Sequence, residues 1–330
     1  MAGDRQPKKT PQIIARIEEL LRDEVAGDPM SGLRWTRKTT ERIAEQLTCL
    51  GIEVSPNTVA RLLSEMGFSL KTNRKNIESG VKHPRGHRAR RNQQFLTIKR
   101  TRHRFERADQ PIISVDGKKR EIIGNFKNSG RGWRRKPKQV NDHDFRTDAI
   151  GVALPYGIYD VRRNTGMVMV GTTRETPAFA VDAIEQWWRT RGRKDYPGAE
   201  RLLILADSGG ANSARSRVWK CDLQQKICNR YGLSVTVHHY PPGASKWNPI
   251  EHKLFSEISR NWQGVPLESY ETAINYICTT RTCTGLRVNA VLNSKQYDTG
   301  ETVTDEEIQM LRIRPHRTLP EWNYIIKPQI

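Results

Sequence analysis

Two textures of hydrophobic and polar positions divide the chain. In residues 11–25 the apolar side chains Ile13, Ile17, Leu20, Leu21 and Val25 recur at helical spacing and share one stripe. Gly27-Asp28-Pro29 breaks that pattern, which returns over 39–50 with Ile43, Leu47 and Leu50 and stops at Gly51. Ser55-Pro56 opens a third helix, since proline suits a first helical turn. Val59, Leu62, Leu63 and Met66 form its apolar face, and Gly67 ends it. The first 70 residues therefore read as an all-α domain. Helix, short turn and capped helix is the layout of a helix-turn-helix, and a plain three-helix bundle has the same periodicity.

From Pro111 the pattern becomes α/β. Ile112-Ile113-Ser114-Val115-Asp116-Gly117 reads as a short buried strand. Ala149–Asp160 and Gly166–Thr173 are strand-like, and Thr176–Arg191 is helical. Leu202–Ala206 is an apolar strand ending at Asp207, followed by a helix over Ser213–Tyr231. Leu233–His238 is the next strand, and Asn248-Pro249 starts a helix running to Trp262. Three strands, helix, strand, helix, strand, helix is the order of a ribonuclease H-like mixed sheet. The expected division is a helix-turn-helix domain at 1–70, a basic linker at 71–110 that is helical around 92–107, a ribonuclease H-like domain at 111–265, and a C-terminal extension at 266–330.

Charge sharpens this picture. The 330 residues hold 56 Lys plus Arg against 36 Asp plus Glu, a net of +20. Residues 1–70 are balanced, with 10 basic and 10 acidic side chains, whereas 71–110 hold 13 against 3 and 117–147 hold 10 against 3. The second run is a basic insertion directly after the first strand. Both runs are interleaved with aromatic and histidine residues, among them Phe95, Phe105 and Trp133. That mixture suits a surface tracking phosphates, so nucleic acid is the expected partner. Asn57, Thr58 and Arg61, at the outer start of the third helix, are types that reach base edges.

No apolar run approaches the ~18 residues of a membrane span, and MAGDRQPKKT lacks the apolar stretch of a signal peptide. The five scattered cysteines fit reduced thiols. A cytoplasmic protein working at nucleic acid, with no membrane partner, is the expectation. Cys278 and Cys283, and His83 and His87, lack zinc-site spacing, and no Cys-x-x-Cys occurs.

The expected topology gives the carboxylates meaning. Asp116 and Asp207 end the first and fourth strands, which lie side by side in such a sheet, ~4.8 Å apart. Ligands gather at the carboxyl ends of strands in open α/β sheets. Glu251, near the start of the last helix, supplies a third carboxylate. Oxygen ligands suit Mg²⁺ or Mn²⁺, two of which can share such a site. Each residue alone has a plainer explanation. Asp116-Gly117 could be a turn, Asp207 a turn residue before Ser208-Gly209-Gly210, and Glu251 the third residue of a capping box begun by Asn248.

The motifs themselves are distinctive. Asp116, Leu205-Ala206-Asp207-Ser208-Gly209-Gly210, and His239-Tyr240-Pro241-Pro242-Gly243-Ala244-Ser245-Lys246-Trp247-Asn248-Pro249-Ile250-Glu251-His252 resemble the Rhodopirellula-type DDE transposases of bacterial insertion sequences. Gly124-Asn125-Phe126-Lys127-Asn128 and Val140-Asn141-Asp142-His143-Asp144-Phe145 extend the likeness. The chain departs from the family pattern after the first Asp, where Gly117 replaces Thr or a similar residue, and after the second, where it reads Gly209-Gly210-Ala211-Asn212-Ser213. Neither departure removes a carboxylate.

The resemblance implies phosphodiester chemistry with two Mg²⁺ or Mn²⁺ ions held by Asp116, Asp207 and Glu251. It implies binding of an element's terminal inverted repeats, 3′-end cleavage and strand transfer, by a homo-oligomer on double-stranded DNA. Lys246 and Trp247 are expected to hold the DNA end, and Arg134, Arg135 and Lys136, with Asn141 and His143, to face nucleic acid from the insertion. A ribonuclease H-like nuclease or resolvase, or a DNA-binding remnant without activity, shares many of these features.

Overall fold

The computed structural model describes residues 10–22, 26–27, 34–35, 39–68, 87–131, 135–244 and 247–329. Residues 71–86 of the expected linker, together with Arg134 and Lys246, lie outside the described residues. Contacts divide the chain into two compact units, 1–78 and 79–330.

In the first unit, α1 (Thr10–Arg22) is followed by the two-residue strands β1 (Ala26–Gly27) and β2 (Arg34–Trp35), then by α2 (Thr40–Cys49) and α3 (Pro56–Glu65). The expected helices are present, but the unit is not purely helical, because β1 and β2 pair antiparallel. Ile17, Leu21, Ile43, Leu47, Val59 and Leu62 form the unit's core. The side chains of Thr39 and Ser55 cap α2 and α3 by accepting from Arg42 N and Thr58 N. Gly51 and Gly67 adopt φ of +78° and +84° just past the helix ends, a conformation other residues rarely take.

The second unit opens with α4 (His87–Arg107), then β3 (Ile112–Gly117), β4 (Glu121–Ile123), β5 (Gly151–Asp160) and β6 (Thr165–Gly171). Next, α5 (Pro177–Trp187) runs through a π-helical turn into α6 (Arg193–Asp195). After β7 (Arg201–Ala206), α7 (Arg217–Asp222) continues as the π-helical stretch Leu223–Asn229. Then come β8 (Ser234–His239), a helix whose π-helical turn Glu251–Phe255 leads into α8 (Ser256–Asn261), α9 (Tyr270–Cys278) and β9 (Arg287–Asn293). The chain finishes with α10 (Asp305–Gln309), β10 (Ile313–Pro315) and β11 (Asn323–Ile326).

The main sheet has the order β10-β11-β8-β7-β3-β5-β6-β9. Its centre, β6-β5-β3-β7-β8, has β3 parallel to β7, β7 parallel to β8, and β5 antiparallel to both neighbours. This is the expected ribonuclease H-like arrangement. The segment 266–330, expected as an extension, supplies strands at both sheet edges: β9 pairs with β6 and β11 with β8.

Strand alternation builds a layer on each face of the sheet. Ile113, Val115, Tyr156, Ile204 and Val237 pack against Phe179, Ile184, Trp219 and Ile227 on one side. On the other, Ile112, Leu203 and Leu205 meet Ile98 and Phe105 of α4, and Val168 and Val170 meet Ile250, Leu254 and Phe255. The part of the expected linker that is described is thus a packed helix. Its amide Gln94 Nε2 donates to His239 O at 2.7 Å and to Asn323 Oδ1 at 2.7 Å, which ties α4 to β8 and β11.

Gly157 lets the Glu251-bearing helix lie close to β5. A Cβ there would meet Phe255 Cε1 at 2.6 Å and Ile250 Cδ1 at 2.9 Å. Gly157→Ala should therefore lower stability by about 1–3 kcal/mol through overpacking. Urea denaturation measures this, and an unchanged midpoint would mean the helix can retreat freely.

Candidate active site

The site is built where β3 and β7 end. Asp116 shares the face of β3 that carries Ile112 and Ser114, so it lies on the side of the sheet that receives the 249–261 helix. The residue is buried, 8% exposed. Its Oδ1 accepts from Gly117 N at 2.8 Å and its Oδ2 from Asn248 Nδ2 at 3.4 Å.

Asn248 is wholly buried, and its amide donates across to Val115 O and Asp116 Oδ2 of β3. It accepts a hydrogen bond from the Ser114 hydroxyl, which in turn accepts from Ile250 N at 3.2 Å. Ser114 thereby satisfies one of the unpaired N–H groups of the helix start, the task a capping side chain would perform. These bonds fix the first turn of the helix to the strand carrying Asp116. Glu251, one residue beyond Ile250, is brought near enough for its charge to act on Asp116. The capping-box explanation of Glu251 is thus replaced: Asn248 joins strand to helix.

Asp207 follows β7, and its position is set from two sides. Its Oδ1 accepts from Gly209 N at 3.3 Å, and the Asn212 amide is near enough to offset part of the rise that burial causes. Asn212 is buried and accepts from the Tyr156 hydroxyl. Beneath, His239 Nδ1 donates to Asp207 O at 2.8 Å, while Nε2 accepts from the Tyr324 hydroxyl at 3.3 Å. Tyr324 accepts from Trp219 Nε1 at 2.9 Å. The neutral ring has one donor and one acceptor, which matches these partners. Burial pushes the His239 ring down to about 4, which favours that neutral form.

The electrostatics are those of crowded carboxylates. Burial, then the charges of Asp207 and Glu251, push Asp116 up to about 8. Burial also raises Asp207 and Glu251. A fourth carboxylate belongs to the neighbourhood and has no signal in the sequence pattern. A Cβ on Gly117 would lie 2.0 Å from Glu175 Oε1, so glycine at 117 leaves the space that Glu175 fills. Glu175 is raised by burial, with Arg120 opposing and Asp207 adding to the shift. Among the described residues, no group of three or more His, Cys, Asp or Glu side chains is arranged to hold a metal ion as it stands. The donor set nevertheless fits a hard divalent cation: it is all oxygen, concentrated in negative charge and partly removed from water.

The expected DNA-contacting residues are distributed differently. Asn57 and Arg61 are exposed on α3, Arg61 pairing with Glu65, whereas Thr58 is partly buried and its hydroxyl lies 3.0 Å from Ser55 Oγ. Arg135 and Lys136 are exposed on the insertion. His143 stacks on the exposed Phe145 with ring centroids 5.2 Å apart, and Asn141 N donates to Asn125 O at 2.9 Å. Trp247 is 57% exposed and meets Phe95 edge-on.

Fold and site together define the class: a ribonuclease H-like protein with an acidic site at the carboxyl edge of its sheet. Residues 16–328 match the family described as the Rhodopirellula transposase DDE domain, and the chain belongs to that family. No curated protein matches the chain. Among solved structures, the Mos1 transposase paired-end complex with left transposon end is 17% identical, with a TM-score of 0.44 over 84% of this chain and 73% of that one. The Mos1 strand transfer complex gives 17% and 0.44 over 84% and 72%, and the Mos1 mariner paired-end complex with Mn gives 18% and 0.41 over the same shares.

Without divalent cations the carboxylates should make stability fall with rising pH. Folded Asp116 holds its proton up to about 8 against an ordinary 3.8, so the folded state binds more protons in between and loses stability as pH rises. His238 and His239 act oppositely. Both are held near 4 against 6.5, so their contribution is complete above 6.5. In chelator, calorimetry should show the melting temperature dropping from about pH 6.5 to 8, with a flatter slope in Asp116→Asn. An identical slope in the variant would place this carboxyl in an ordinary solvated setting.

Proposed function

We propose that this chain is a metal-dependent transposase that binds the terminal inverted repeats of its element, cleaves the 3′ ends and joins them to target DNA. The observation that carries the reading is the meeting of Asp116, Asp207 and Glu251 from three separate elements, in a chain of a transposase DDE family. Asp116, Asp207 and Glu251 would hold Mg²⁺ or Mn²⁺, two ions per site, once their side chains close around the cations. Bound there, the cations would lower the pKa of an attacking water or 3′-hydroxyl and stabilise the leaving oxygen.

The chain's own residues do the rest. Asn248 and Ser114 hold the Glu251 helix against β3. The Gly209 N–H and His239 fix the carboxylate and the backbone of Asp207. The proposed division of labour gives sequence choice to α3 in a helix-turn-helix, through Asn57, Thr58 and Arg61. Electrostatic attachment falls to the basic segments before β3 and after it, where Arg134, Arg135 and Lys136 neutralise phosphates. Lys246 and Trp247 hold the strand end. The carboxylates serve catalysis and not attachment, and paired-end chemistry calls for more than one copy of the chain on DNA.

Asp207→Asn and Glu251→Gln keep shape and remove charge. Each should reduce strand cleavage of a labelled terminal repeat by at least about 100-fold, because the ion loses a charged ligand. A gel shift on the same DNA should stay as strong as with the unaltered chain. Cleavage undiminished in either variant would remove that residue from the site. Loss of gel shift and cleavage together, with a lowered melting temperature, would assign the residue a structural role.

A further inference from the structure

Side chains of α4 and of the loop after β8 line a cavity of about 420 Å³. Its size is within the range of pockets that hold small organic groups. Three aromatic rings form one wall: Phe95 lies 6.2 Å from Tyr240 and 5.9 Å from Trp247 between centroids. Lys99, Arg102 and His103, from one face of α4, form the rim. Glu106 offsets part of that charge, 3.6 Å from Arg102 and 3.2 Å from His103. The buried Nε of Arg102 has no hydrogen-bond partner. The helix as a whole carries eight Lys and Arg and one Glu.

The pocket is joined to the site by short links. Tyr240 N donates to Ala206 O at 2.8 Å, and the Ser208 hydroxyl bonds to Tyr240 O, so Tyr240 is held by the two residues flanking Asp207. Trp247 directly precedes Asn248, whose amide reaches Asp116. Tyr240 and Trp247 are thus each one short link from a residue that flanks or touches a carboxylate.

Flat aromatic surfaces under a cationic rim fit a nucleobase whose own phosphates meet the cations. An apolar side chain would leave the rim unused, and a phosphate alone would leave the rings unused. We propose that the pocket of Phe95, Tyr240 and Trp247 takes one unstacked nucleobase of the DNA strand entering the carboxylate site. The inference rests on the DNA reading above and names what that site does with the strand end. Stacking tolerates any base, so the pocket holds the end without reading sequence.

The test uses the full chain in chelator, so that no chemistry occurs, with fluorescence anisotropy on two duplexes of equal length. One is blunt, and the other has unpaired bases at one end. The unpaired end should bind about ten-fold tighter, since base–aromatic stacking is available only to it. Trp247→Ala should bring the two affinities together, and Trp247→Phe should restore most of the difference. A 2-aminopurine at the unpaired position should be quenched on binding to the unaltered chain, a readout that does not depend on how any variant folds. Equal affinities for the two duplexes, a preference kept in Trp247→Ala, or an unquenched 2-aminopurine would overturn the pocket while leaving the DNA reading intact. Failure to bind either duplex would overturn both.

Discussion

Three like charges brought together out of water are the constraint around which the second unit is organised. A carboxylate loses hydration on burial, and each neighbour of the same sign makes ionisation costlier still. Asp116 bears most of this, being the most buried of the three and facing both others. Such an arrangement is unfavourable for the fold by itself. It is held by packing on both faces of the sheet and by neutral hydrogen-bond donors at the carboxylates, Asn248 at Asp116 and the Gly209 N–H at Asp207. On the proposed reading a divalent cation relieves the repulsion, and stability spent in the metal-free state becomes affinity for the ion.

The junction between β3 and the 249–261 helix is the mechanical counterpart of that constraint. β3 and β7 are neighbours by sheet pairing, so Asp116 and Asp207 come together through backbone hydrogen bonds. Glu251 has no such help. Its approach depends on Ser114 and Asn248 tying the helix start to the strand, and on the bare backbone of Gly157 beneath Ile250 and Phe255. Buried polar links of this kind fix one relative position, where apolar contact alone would leave several.

The order and directions of the central strands were legible because β3, β7 and β8 are short apolar runs bounded by clear stops. The places of Asp116 and Asp207 at the ends of β3 and β7, and of Glu251 near a helix start, could be read from that order. The residues that position them could not. Ser114 and Asn248 are 134 positions apart, and neither has a local pattern announcing the other. Locally, Asn248-Pro249-Ile250-Glu251 reads as a capping box, and tertiary contacts redirect the amide. Glu175 was missed because no motif surrounds it and Gly117 makes sense only once the two are seen together. The outer strands β9, β10 and β11 were hidden for another reason: they are short or polar on one side, and pairing rather than propensity makes them strands. In α4 the charge of the helix masked the narrow stripe of Gln94, Thr97, Ile98, Thr101 and Phe105 that it buries.

The central claim is that Asp116, Asp207 and Glu251 act as one cation site. Calorimetric titration of the full chain with Mn²⁺, free of DNA, addresses it directly. The account predicts saturable binding by the unaltered chain and its loss or at least about ten-fold weakening in each of Asp116→Asn, Asp207→Asn and Glu251→Gln, while all three variants remain folded. Binding that persists unchanged in the three variants, or no saturable binding to the unaltered chain, would contradict it.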